Sequence, residues 1–175
     1  MGYSIEDLAE NASFEEVAYL LLLGKLPTSS ELAEFEDELM NQRTMPDSLV
    51  SVVESIPASA HPMEVVRTII SYMGVIEPEK SFDDQLAIAK RLIGVTTTAI
   101  VYWYNFSHNG VKVSQDSGER SVAGHFLKLL RQEDIPELDK KTLDVSLTLY
   151  AEHEFNASTF TGRVCASTLS DLHSC

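Results

Sequence analysis

The stretch from Ser81 to Gly110 constrains the chain more than any other. Ser81-Phe82-Asp83-Asp84 reads as a helix start, with Asp84 completing the cap three residues after Ser81. Beyond it, Leu86, Ala89, Leu92, Ile93, Thr96, Thr97 and Ile100 recur at helical spacing and give a wide apolar face. The β-branched run from Val95 to Thr98 has poor helix propensity, and in isolation it would pass for a strand. Length and flanking periodicity decide for one long buried helix, which Asn109-Gly110 ends in a turn. Tyr102-Trp103-Tyr104 near its end is read as core.

The rest of the chain repeats the helical pattern with different caps. Ser4 with Asp7, Ser13 with Glu16 and Thr28 with Glu31 each mark an N-terminus with an acid three residues on. Phe14, Val17, Ala18, Leu21 and Leu22 form the stripe of the second helix, which Gly24 and Pro27 end. Leu32, Phe35 and Leu39 form that of the third. Pro46 to Ile56 reads as a modest helix stopped by Pro57. His61 precedes a proline and is expected outside the next helix as its cap, with Pro62 at the first helical position. That helix, striped by Val65, Val66, Ile69, Ile70 and Met73, is expected to end at Gly74. Lys112 to Arg120 is a polar loop. Ser121 to Leu130 is a helix whose His125, flanked by apolar residues, is expected to be a core histidine. Asp139 is expected to cap the following helix. No run alternates with the period of a strand between turns. The chain reads as all-α, one domain over residues 1–175.

Composition narrows the function classes. Hydrophobic residues make up 44% and charged residues 23%, as in an ordinary globular protein. Thirteen basic residues against 27 acidic ones give a net charge of −14, which argues against nucleic acid or an anionic membrane as partner. The two cysteines, Cys165 and Cys175, fit a reducing compartment with free thiols and form no metal pattern. The first residues lack a basic-then-apolar signal, and the apolar runs are read as too short to cross a membrane. A cytoplasmic protein is expected.

Useful chemistry gathers in one place, Leu149 to Arg163, read as a last helical stretch, with the chain helical again from Ala157 through Val164, Ala166 and Leu169. His153 can donate, accept or carry charge near neutral pH, and Asn156 offers an amide and a carbonyl. The pair is spaced i, i+3, so the two side chains share a face if the helix continues between them. On residues alone, a satisfied structural hydrogen-bond pair is the favoured reading. A zinc-protease motif is excluded, because position 157 is Ala where a second His is required. Asn156-Ala157-Ser158 matches a glycosylation sequon, read as accidental in a chain without a secretory segment.

The run Ala151-Glu152-His153-Glu154-Phe155-Asn156-Ala157-Ser158-Thr159-Phe160 closely resembles the signature of the citrate synthase family. With Phe155 between Glu and Asn, it is most similar to the bacterial 2-methylcitrate synthases. Gly2-Tyr3 with Ile5, Phe14 to Leu21, His61-Pro62-Met63 with Arg67-Thr68, Tyr102-Trp103-Tyr104 and Ala123-Gly124-His125-Phe126-Leu127 extend the resemblance over essentially the whole chain. Met1 stands where the family usually has Arg, so a chain begun inside a longer sequence is expected.

The resemblance implies an all-α, multi-helical fold: the N-terminal part of a large helical domain, without the small CoA-binding domain. It implies condensation of an acyl-CoA, propionyl-CoA or acetyl-CoA, with oxaloacetate, giving 2-methylcitrate or citrate. His153 and Asn156 would line the oxaloacetate pocket. No metal and no cofactor beyond the acyl-CoA substrate are implied, and a homodimer is. The family's other active-site histidine runs and its catalytic acid do not occur in this sequence, so the 175-residue chain alone is expected to be inactive. The rival reading is a non-catalytic helical interaction or dimerisation module with the same fold. His61 would border an active site only as a weaker alternative to its capping role.

Overall fold

The computed structural model describes residues 2–151 and 156–175 of the chain. Its helices are α1 (Ile5–Asn11), α2 (Phe14–Leu23), α3 (Ser29–Asn41), α4 (Asp47–Ser55), α5 (Pro62–Ile76), α6 (Gln85–Asn109), α7 (Val122–Arg131), α8 (Glu137–Ala151) and α9 (Ala157–Ser167). A short 3-10 turn, Phe82–Asp84, leads into α6. Among the described residues there is no strand, so the fold is all-α as the periodicity predicts.

The caps form as the sequence dictates. The Ser13 hydroxyl accepts from the Glu16 N–H while the Glu16 carboxylate accepts from the Ser13 N–H, at 3.2 and 2.8 Å. Thr28 and Glu31 make the same reciprocal pair, and Glu31 is held down to about 2 by Lys25 and by the Thr28 donors. His61 caps α5, its Nδ1 accepting from the Met63 N–H at 3.2 Å. The three devices satisfy helix N–H groups that would otherwise lack partners.

Helix α6 is the axis of the fold, in contact with α3, α4, α5 and α7. On one side, Val95, Ala99, Tyr102 and Trp103 join Leu49 and Val53 of α4 and Val65, Ile69 and Met73 of α5. On the other, Ile93 packs against a second cluster built from Ala18, Tyr19, Phe35, Leu39 and Val122. The β-branched run that weakens helix propensity lies in the packed part of the helix: Val95 and Thr98 are fully inaccessible. Tertiary packing overrides local preference there. Gly94 is required by close approach, since a Cβ would fall 2.9 Å from the backbone carbonyl carbon of Gln42 at the end of α3. The stretch Phe82–Asn109 is also long and apolar enough to cross a membrane, with mean hydropathy 1.2. This corrects the expectation of short apolar runs only. In the fold it is packed on several sides, as a core helix is.

Four features differ from the sequence expectation. Helix α5 runs past Gly74 to Ile76, because the apolar stripe continues and a glycine alone costs only about 1 kcal/mol in a helix. Asp139 is not a cap: α8 starts at Glu137, and the Asp139 N–H donates to the Pro136 carbonyl at 3.0 Å. Tyr104 is not core but 42% exposed, stacked on His108 at 4.6 Å between ring centres. The last helical stretch does not run unbroken from Leu149 to Arg163. Asn156 has extended backbone (φ −64°, ψ 138°) and caps α9 instead.

The loop from Val111 to Arg120 carries no helix but is not loose. The guanidinium of buried Arg43 donates to the carbonyls of Glu119 and Arg120, and Gln115 accepts from the Met45 N–H. His125, fully inaccessible, bridges the Thr98 hydroxyl at 2.9 Å and the Ser117 hydroxyl at 2.8 Å. Burial and the nearby Arg43 charge push its pKa down to about 3. It is a neutral core histidine that ties the loop to α6 and α7.

Candidate functional site

Of the two residues that sequence reasoning placed in the site, His153 lies outside the described residues. Asn156 is positioned by the start of α9. Its side-chain oxygen accepts from the Ser158 N–H at 2.7 Å, satisfying one of the unpaired donors of the first turn. The condition for sharing a helix face, a helix that continues through Asn156, is not met there, because the Asn156 backbone is extended. The signature's asparagine is therefore the cap of α9.

Ser158, two residues on, lines a groove of about 960 Å³ between α5 and the end of the chain. Met63, Val66, Arg67, Ile70 and Ser71 form one wall, and Asp171, His173, Ser174 and Cys175 the other. The second wall is held by long-range contacts. The Leu172 N–H donates to the Glu79 carboxylate at 2.7 Å, and His173 packs on Gly74. The His173 side chain is only 4% exposed, with Nδ1 3.7 Å from an Asp171 oxygen and without a hydrogen-bond partner among the described residues. Sequence reasoning missed His173 altogether, since a histidine outside any patterned segment carries no local signal.

The groove is electrically mixed. Arg67 is paired with Glu64 one turn before it, and Glu79 and Asp171 bring two more carboxylates. Asp171 is kept below the usual carboxylate range by the Ser174 hydroxyl, which donates at 2.8 Å. Arg163, the cation nearest the signature in sequence, lies exposed on α9. His61 and His125, the other histidines singled out by sequence, are a helix cap and a core bridge. Among the described residues no group of three or more His, Cys, Asp or Glu is placed to hold a metal ion. What the described residues of the groove offer chemically is hydrogen bonding and an apolar wall.

Comparison with known proteins decides the family. The family description "Citrate synthase, C-terminal domain" matches residues 1–175. The chain belongs to the citrate synthase family. It is 54% identical over 174 residues to a 2-methylcitrate synthase of Shewanella oneidensis, covering 99% of this chain and 46% of that protein. A citrate synthase of Deinococcus radiodurans is 36% identical over 178 residues, with 100% of this chain and 47% of that protein covered. Among solved structures, citrate synthase of the thermophilic archaeon Thermoplasma acidophilum, in ternary complex with carboxymethyl coenzyme A and oxaloacetate, superposes with a TM-score of 0.88. Its identity is 28%, over 99% of this chain and 46% of that one. The chain thus spans about half the length of the citrate synthase relatives it matches.

Proposed function

We propose that this chain is part of an acyltransferase that condenses an acyl-CoA with oxaloacetate, propionyl-CoA giving 2-methylcitrate and acetyl-CoA giving citrate. The observation that carries this reading is the 54% identity to a 2-methylcitrate synthase along 99% of the chain. The oxaloacetate and coenzyme A analogue held together by the Thermoplasma acidophilum enzyme support the substrate pair. The acyl-CoA is enolised and its α-carbon attacks the keto carbon of oxaloacetate; hydrolysis of the thioester then releases the product.

In this reading His153 and Asn156 supply hydrogen bonds to oxaloacetate, while the base for the α-proton and the acid at the enol oxygen come from residues outside this sequence. No cofactor beyond the acyl-CoA substrate is needed, and the enzyme works as a cytoplasmic homodimer. The exposed Phe160 and Val164 of α9 supply apolar surface consistent with such an assembly. The mixed groove agrees with a division of labour, because it does not by itself gather the cations a dianion requires.

A thiol-release assay on the natural gene product tests the reading. Coenzyme A should appear only when oxaloacetate and an acyl-CoA are both present, faster with propionyl-CoA. The 175-residue chain alone should give none. His153→Ala in the natural gene product should lose one charge-assisted hydrogen bond, worth about 1.5–3 kcal/mol, and so about tenfold to a hundredfold in kcat/KM for oxaloacetate. Absence of release with either acyl-CoA would favour the non-catalytic helical module.

A further inference from the structure

The two cysteines are brought together by a turn that the sequence does not announce. Asp171 accepts from the Ser174 N–H at 3.1 Å and from its hydroxyl at 2.8 Å, and the Cys175 N–H donates to the Asp171 carbonyl at 3.2 Å. These bonds curl residues 171–175 back onto α9. The Cys165 thiol donates to the Ser174 carbonyl at 3.3 Å, on the peptide that leads directly into Cys175. The Cys175 carbonyl oxygen lies 3.8 Å from where a Cβ on Gly162 would sit, one turn before Cys165 on α9. Cys175 is exposed and Cys165 half-buried, and both are free thiols. Partial desolvation, then the neighbouring Cys165 thiol, hold the Cys175 thiol above its usual range, as two facing sulfur groups should.

We propose that Cys165 and Cys175 form a redox modification site, closing to an intrachain disulfide on contact with a small-molecule disulfide such as oxidised glutathione. One cysteine thiolate attacks a sulfur of oxidised glutathione and releases one glutathione thiolate, leaving a mixed disulfide on the protein. The second cysteine thiolate attacks the protein sulfur of that mixed disulfide and releases the second glutathione. The protein loses two hydrogens and is oxidised; the glutathione disulfide is reduced to two thiols. The Cys165 sulfur lies 3.3 Å from the carbonyl oxygen of Ser174, the residue next to Cys175, which brings it to the backbone that the disulfide must join. Closure covalently completes a strap. The turn already reaches α5 through the Leu172–Glu79 bond and the His173–Gly74 contact, and the new bond fixes it to α9, whose cap is Asn156.

Intact-mass spectrometry of the folded 175-residue chain, incubated dilute with oxidised glutathione, tests this. The wild type should lose two hydrogens, the closed form exceeding glutathione adducts by about tenfold or more, because the second thiol acts at millimolar effective concentration. Dithiothreitol should restore the original mass. Cys165→Ser and Cys175→Ser, with circular dichroism unchanged, should each stop at one glutathione adduct. Stable adducts on both cysteines of the wild type, disulfide-linked dimers on a non-reducing gel, or an unchanged mass would each overturn the proposal.

Discussion

The bundle around α6 and the segment from Asn156 to Cys175 are built on different terms. In the bundle, α2 to α7 each bury apolar residues, and polar groups that enter it, such as Arg43, make long-range bonds to backbone carbonyls. In the C-terminal segment, α9 buries no residue, and Phe160, Val164 and Leu169 stand open to solvent. It is held by caps and by single bonds such as Leu172 to Glu79. The buried apolar clusters contain no residue of the segment, whereas the segment, which carries the signature asparagine, takes its position from few contacts. Regions of low local stability are where binding elements are commonly found.

The sharpest way to break that contrast is to cut one side chain from each region. Trp103 is 2% exposed, with its indole N–H donating to the Ile56 carbonyl at 3.3 Å. Trp103→Ala should cost about 3–5 kcal/mol through the cavity it leaves. Phe160→Ala, at a position 69% exposed, should stay within about 0.5 kcal/mol. Urea unfolding of both variants measures the difference. Comparable losses would mean that α9 belongs to the same cooperative core.

A smaller effect separates the regions by pH. His125 sits in the bundle with its pKa pushed down to about 3, so the unfolded chain takes up a proton near pH 6.5 that the folded chain refuses. Its contribution is therefore fully present above about pH 6.5 and is lost as pH falls toward 3. Between pH 7 and 5 the loss should be about 2 kcal/mol. Buried Glu15, raised chiefly by desolvation, acts in the opposite direction and offsets part of it. His125→Gln should flatten the dependence over that interval. Parallel curves for the variant and the wild type, by thermal melts at each pH, would show that another group controls it.

How far the sequence reaches follows the same division. Caps such as Ser13–Glu16 and stripes such as Val65, Ile69 and Met73 are local patterns, and they placed most of the helices. The loop at residues 112–120 was legible as polar, but its polar groups turn inward to serve Arg43, Met45 and His125, which no local pattern records. The overlong reading of the last helix failed at Asn156 because an asparagine flanked by helix-compatible residues serves equally as a cap or as an interior residue. The groove wall at 171–175 was illegible for a plainer reason: its partners, Glu79 and Gly74, lie far away in sequence. Asn156 was found by its motif, and His173 had none.

The smallest effect asks how firmly that wall is attached. Gly74 lies inside α5, and a Cβ there would fall 2.9 Å from the Cβ of His173. Two terms oppose each other in Gly74→Ala. Replacing an interior helical glycine gains about 1 kcal/mol. The overlap with His173 must be relieved, and neither atom is the far end of a flexible side chain, so one backbone has to move. If the 171–175 turn is held only by Leu172–Glu79 and its own bonds, it shifts away at small cost, and the helix gain survives. The expected outcome is then a global stability unchanged or raised by up to about 1 kcal/mol, with faster amide exchange at Leu172 as its bond to Glu79 is lost. A loss of more than about 2 kcal/mol, with Leu172 still protected, would instead place the turn inside the core, because a packed wall that cannot yield returns the overlap as strain.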